Sequence, residues 1–156
     1  MKNYNKVMLI LAIAWMAVIF MFSAKPDVES QEMSGSVSYR LISVVDKAFG
    51  MNWDKEGKAE AIDYPVRKVA HMSEFAFLCL LVYGSFCWID GKKRYVIPVA
   101  RVFAYACSDE FHQLFVSGRS GQLSDVVLDT CGALFGVALA CLVMWIISKK
   151  KKEKQS

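Results

Sequence analysis

Several residues with acid–base and ion-binding chemistry recur at helical spacing. Lys68, His71 and Glu74 follow one another three residues apart. Asp109 is followed by Glu110, by His112 three residues on and by Gln113 four residues on. Asp125 and Asp129 are one helical turn apart, and Arg119 lies shortly before them. Residues three or four apart share a helix face, so each group presents a polar patch. Imidazoles and carboxylates in a low-dielectric setting can do general acid–base work, with His71, Glu74, Asp109 and Glu110 as the candidate catalytic groups. Lys68 and Arg119 could hold a phosphate or a carboxylate. His71-x-x-Glu74 has the spacing of the carboxylate–histidine pairs of helical metal sites. No spacing amounts to a metal motif, and neither a metal nor a cofactor is expected.

These patches lie in or beside apolar runs. The chain has 156 residues, is 55% hydrophobic and has a mean hydropathy of +0.31. That exceeds the usual share of about 45–50% for a soluble domain. The apolar residues are gathered into runs near 7–22, 66–89, 95–116 and 125–148. Each is close to the length of about 20 residues that a membrane span needs. Ionisable groups in hydrocarbon cost a few kcal/mol or more each and persist where they have partners or a function.

Charge sets the expected orientation. Segments 1–6, 90–94 and 149–156 hold ten Lys and Arg residues, whereas the loop 23–68 holds seven basic and eight acidic ones. This bias puts both termini in the cytoplasm. The net charge of +4 is then a topology signal, and no nucleic-acid partner is expected. A signal peptide is the rival reading of the first segment, but Phe22-Ser23-Ala24 puts a bulky residue where cleavage wants a small one.

With that topology, Lys68, His71 and Glu74 lie at the outer start of the second span. Asp109 is 14 residues after Tyr95, about 21 Å along the third span and so in its outer third. Arg119 occupies the outer turn, and Asp125 and Asp129 begin the fourth span. Three spans thus bring polar faces to one depth. If the cluster is only a self-paired network, its pairs would be Lys68 with Glu74, Arg119 with Asp125, and Asp109 with a histidine.

The remaining features position this cluster. In the first loop (23–65), residues 24–36 read as turn and coil. Val37, Leu41, Val44 and Val45 then mark an amphipathic helix on the outer membrane surface or capping the bundle. Pro65 reads as the start of the second span. Ala100, Ala104 and Ser108 form a small-residue stripe, and Gly132 and Gly136 form a GxxxG; both are packing devices. Arg101 is near enough to the inner face to snorkel. Cys79, Cys87, Cys107, Cys131 and Cys141 all fall in apolar runs and read as small packing residues, neither disulfides nor zinc ligands.

Arg67-Lys68-x-x-His71-x-x-Glu74, then Asp109-Glu110-x-x-Gln113-x-Phe115 with Gly118-Arg119, then Asp125 through Asp129-Thr130 to Gly132, together resemble the VanZ-like family. These are small bacterial membrane proteins named for a teicoplanin-resistance accessory protein. Two departures stand out: Asp129 replaces a frequent Asn, and Ser117 replaces a proline common before Gly-Arg. The resemblance implies a cell-envelope role, with a lipid-linked cell-wall precursor or a lipoglycopeptide as partner beside the membrane lipids.

The expected fold is therefore an all-α integral membrane protein. Residues 1–148 form a four-transmembrane-helix bundle with an outer amphipathic helix in the first loop, and 149–156 form a basic cytoplasmic tail. The expected location is the bacterial plasma membrane, multi-pass. The preferred reading is an outward-facing binding pocket built from Lys68, His71, Glu74, Asp109, Glu110, Gln113, Arg119 and Asp125. An extracytoplasmic hydrolase or transferase acting on a lipid-linked substrate is a second reading. A scaffold whose charges only pair with one another is a third.

Overall fold

The computed structural model describes residues 3–86 and 88–153; the first two residues, Cys87 and the last residues of the basic tail lie outside this range. Five helices follow in order: α1 (Asn3–Ser23), α2 (Asp27–Phe49), α3 (Lys55–Ser85), α4 (Lys93–Gln113) and α5 (Leu123–Glu153). Among the described residues there is no strand.

α3 is the central element, and every other helix packs on it. Its Phe75, Leu78 and Cys79 are buried against Ala12 and Ile19 of α1, Val102 and Ala106 of α4, and Ala133 and Val137 of α5. Side-chain handles fix α1 against its neighbours. Trp15 Nε1 donates to the Glu74 carbonyl at 3.0 Å, and Tyr105 Oη donates to the Met16 carbonyl at 2.7 Å. The GxxxG acts as expected. A Cβ on Gly132 would lie 2.2 Å from the Met72 carbonyl oxygen, and one on Gly136 would lie 2.4 Å from that of Ala76. Only glycine lets the α3 and α5 backbones meet so closely.

Several expectations need correction. Segment 24–36 is turn and coil only through Pro26: α2 begins at Asp27, directly after it. Pro65 does not start a helix but lies inside α3. The α3 start is set earlier, where the Asp54 carboxylate accepts from Gly57 N at 3.3 Å and the helix-forming run Lys55–Ala61 follows. Proline removes one helical hydrogen bond, in the part of α3 that α2 packs along. The stripe Ala100, Ala104 and Ser108 is exposed, so it packs no helix; α4 turns Val102, Ala106 and Asp109 inward instead. Arg101 lies over the Phe86 ring, 4.6 Å from its centroid.

α2 runs antiparallel to the first half of α3. Lys55 pairs with Asp46 at 3.3 Å, Ser38 Oγ donates to Asp63 at 3.3 Å, and Arg67 donates to Asp27 at 2.9 Å. At the hairpin tip Gly50 adopts a left-handed φ of +62° and returns its N–H to the Asp46 carbonyl. The Asp46 carboxylate accepts from Trp53 N at 2.9 Å, which, with Lys55, holds its carboxyl below the usual aspartate value. α2 buries Ser38, Ile42 and Asp46 against α3 and leaves Met33, Val37, Leu41 and Val44 exposed along a neighbouring flank. The amphipathic helix thus exists, and the Met33–Val37 end of its apolar stripe borders a hollow beside α3.

Among the described residues, only α1 and α5 are long and apolar enough to cross a membrane. α3 and α4 fall short on composition because ionisable residues interrupt their apolar faces: Arg67, Lys68 and Glu74 in α3, and Arg94, Arg101, Asp109 and Glu110 in α4. α5 leaves Leu134, Phe135, Leu142, Trp145 and Ile147 exposed. So large a contiguous apolar surface is expected of a helix facing lipid.

Candidate functional site

The polar residues of α3, α4 and the α4–α5 turn do converge, and the end of α1 and the start of α2 join them. Asp109 is 3% exposed. Its Oδ2 accepts from Ser23 Oγ at 2.7 Å and from Gln113 Nε2 at 3.0 Å, which ties α1 to α4. Glu110 is also buried and accepts from the Gln122 backbone N–H at 2.9 Å, which fixes the entry to α5. Asp109 and Glu110 therefore work as braces within the bundle. Gln113 is buried with them.

The ion pairs differ from those of a self-paired network read from spacing. Lys68 Nζ donates to both oxygens of Asp125, not to Glu74, because its side chain crosses from α3 to the first turn of α5. Arg119 makes no ion pair with Asp125. Its Nε donates to the Lys25 carbonyl at 2.9 Å and its Nη2 to the Phe22 carbonyl at 3.4 Å, so it clasps the α1–α2 turn. Asp109 does not pair with histidine. The His112 ring instead lies against Phe20, with centroids 4.4 Å apart. Arg67 bridges Asp27 of α2 and Asp63 of α3 at 2.9 and 3.4 Å.

Two adjacent cavities result. One, of about 270 Å³, is mainly polar and is lined by Asp27, Gln31, Lys68, Gln113 and Asp125 among others. The second, of about 200 Å³, is walled by Phe22, Met33, Val37, Val66 and Ala70, with Glu74 also in its lining. Arg67, His71 and Arg119 line both. Among the described residues, the side chains of His71 and Glu74 take no hydrogen bond. Arg119 has no carboxylate within ion-pair distance among the described residues, and its Nη1 is not engaged. Burial lowers the Arg119 value from the ordinary one, and the Asp27 and Asp109 carboxylates oppose that shift. An arginine remains cationic at neutral pH all the same.

The arrangement is a fixed cation between a polar and an apolar hollow. Among the described residues, no group of three His, Cys, Asp or Glu side chains is placed to hold a metal ion. Of the eight expected binding residues, Lys68, His71, Gln113, Arg119 and Asp125 line the polar cavity and Glu74 lines the apolar one. Asp109 and Glu110 line neither; Glu110 instead borders a separate cleft between α4 and α5. Sequence reasoning misses Ser23, Lys25 and Asp27. The signal for them is Pro26-Asp27 after an apolar run, a helix start that brings the chain back over the bundle.

Asp129 stands apart. It is 1% exposed, and neither carboxylate oxygen has a hydrogen-bond partner. A buried acceptor left unsatisfied costs about 1–3 kcal/mol. Asp129→Asn keeps the shape and removes the charge, so it is expected to raise the thermal midpoint of the purified protein by a few degrees, on the order of 1 kcal/mol. A clear fall in the midpoint would show that the carboxylate itself stabilises the bundle.

No curated protein and no solved structure matches the chain. The VanZ/LLP1 family model matches residues 8–145, which takes in most of α1, all of α2 to α4 and most of α5, with every residue of both cavities. The chain is a membrane protein of the VanZ/LLP1 family.

Proposed function

We propose that this protein crosses the bacterial plasma membrane four times, with α1, the second half of α3, α4 and α5 as spans and both termini in the cytoplasm. The polar cavity then faces outward and binds the anionic headgroup of a cell-envelope lipid or lipid-linked precursor. By that binding the protein lowers susceptibility to lipoglycopeptides such as teicoplanin. The observation that carries the reading is Arg119: a guanidinium that donates to two backbone carbonyls and lines a polar cavity, with no carboxylate partner among the described residues. Arginine suits such a site because its planar fork meets phosphate or carboxylate with two bonds. The Lys and Arg bias between loops supports the orientation.

A second reading has its own support. His71 and Glu74 are one turn apart, free of hydrogen-bond partners among the described residues, and share one cavity. A hydrolase or transferase would use one of them as base. The Lys68–Asp125 and Arg67–Asp27 pairs favour a scaffold only in so far as they are complete without a ligand.

Wild type, His71→Ala, Glu74→Gln and Arg119→Gln, expressed at matched membrane levels in a susceptible Gram-positive host, separate these readings. The inhibitory concentration of teicoplanin is measured beside that of vancomycin. The binding reading expects a rise for teicoplanin alone, weakened in graded fashion by His71→Ala and Glu74→Gln and lost in Arg119→Gln. Complete loss in Glu74→Gln with headgroup binding intact favours the enzyme. No rise in the wild type removes the lipoglycopeptide role.

A further inference from the structure

The apolar cavity calls for an occupant of its own. It is walled by Met33 and Val37 of α2, Val66 and Ala70 of α3, and Phe22 at the end of α1. Met33, Val37, Leu41 and Val44 recur at four, four and three residues, so they form one stripe on α2. All four are at least 40% exposed. The stripe continues the cavity wall along the helix and leaves its hydrocarbon largely exposed. Arg119 stands at the junction, because it lines this cavity and the polar one together with Arg67 and His71. An anion bound to the free Nη1 would therefore sit where the two hollows meet, and whatever is attached to it would have an apolar path along α2.

We propose that the cavity between α2 and α3 holds the hydrocarbon chain of the same molecule whose anionic head binds Arg119, so that the ligand class is a membrane amphiphile and not a water-soluble anion. This rests on the headgroup reading of Arg119. The chain enters between Phe22 and Ala70 and lies along Met33 and Val37. Arg67 and Lys68, already paired with Asp27 and Asp125, shape the head pocket without competing for the anion.

The test compares inorganic phosphate, butyl phosphate and hexadecyl phosphate on the full-length protein purified in one detergent. Each buried methylene is worth about fourfold in affinity. Hexadecyl phosphate is expected to bind the wild type at least about tenfold more tightly than butyl phosphate. Micelle partitioning contributes to that ratio, so the decisive readout is its change in variants that fill the cavity. Ala70 and Ser34 both line the cavity, on different helices, and Ala70→Phe and Ser34→Phe are each expected to cut the ratio by about tenfold or more. A ratio unmoved by both, in variants that elute and melt like the wild type, overturns the chain site. If butyl phosphate still binds and loses affinity in Arg119→Gln, the headgroup site survives that failure. If inorganic phosphate binds as tightly as hexadecyl phosphate, the ligand is a soluble anion and the proposal falls. If no phosphate binds at all, both readings fall together.

Discussion

Gly136→Val is expected to unfold the bundle or leave it barely stable. A Cβ there would lie 2.4 Å from the Ala76 carbonyl oxygen and 3.1 Å from its carbon. Both are backbone atoms of α3, so no side chain can swing aside and the helices must separate. Overpacking costs about 1–3 kcal/mol, and more where backbone must move. Separation here also opens the contact between α3 and α5 around Ala133 and Val137. Gly132→Ala meets the Met72 carbonyl at 2.2 Å and is expected to behave alike. Gly35 is the control: it is helical in α2, and a Cβ there would meet nothing within 4 Å. Gly35→Ala should stabilise by about 0.4–1 kcal/mol through helix propensity and the unfolded chain. Thermal midpoints in one detergent check all three; equal midpoints for Gly136→Val and wild type would mean that the helices do not meet at this seam.

Arg119→Gln is expected to weaken binding of butyl phosphate by about tenfold to a hundredfold. Hydrogen bonds to charged groups contribute about 1.5–3 kcal/mol. The same change loosens the clasp on Lys25 and Phe22, so a merely structural role also predicts damage. Arg119→Lys separates the two. Lysine keeps the charge but lacks the planar fork that holds two carbonyls while presenting a third nitrogen. It should recover part of the phosphate affinity while leaving the thermal midpoint near that of Arg119→Gln. If instead midpoint and affinity recover together, the arginine acts through the fold alone.

Much of the arrangement is legible in the residues. The convergence of Lys68, His71, Gln113, Arg119 and Asp125 follows from helical spacing and from the order of apolar runs. The Gly132–Gly136 seam follows from the one feature that a close helix crossing cannot do without. The partners are harder, because an ion pair across helices depends on side-chain reach, and a carboxylate at the right spacing on the same helix looks equally good. Lys68 thus reaches Asp125 on α5 and passes by Glu74. The helical character of 27–36 is hidden by serines and a glycine, residues that are poor helix formers on their own. Packing against α3 overrides that preference, with Ser38 wholly buried. Pro65 misleads because a proline near a hydropathy boundary suggests a start, whereas the Asp54 cap and the Lys55–Ala61 run set it a full ten residues earlier. The apolar cavity has no sequence signature, since Met33, Val37, Val66 and Ala70 come from two helices whose register only the packed structure reveals.

The place where the ligand sits is the most direct question. A photoreactive group attached beside the phosphate of an alkyl phosphate, activated on the full-length protein in lipid nanodiscs and mapped by peptide mass spectrometry, answers it. Adducts are expected on Arg67 to His71 of α3 and in the turn from Gly118 to Gln122, and Arg119→Gln should abolish them. Adducts confined to the apolar groove between α4 and α5, around Tyr95, Phe103 and Leu134, and indifferent to Arg119, would contradict an outward headgroup site.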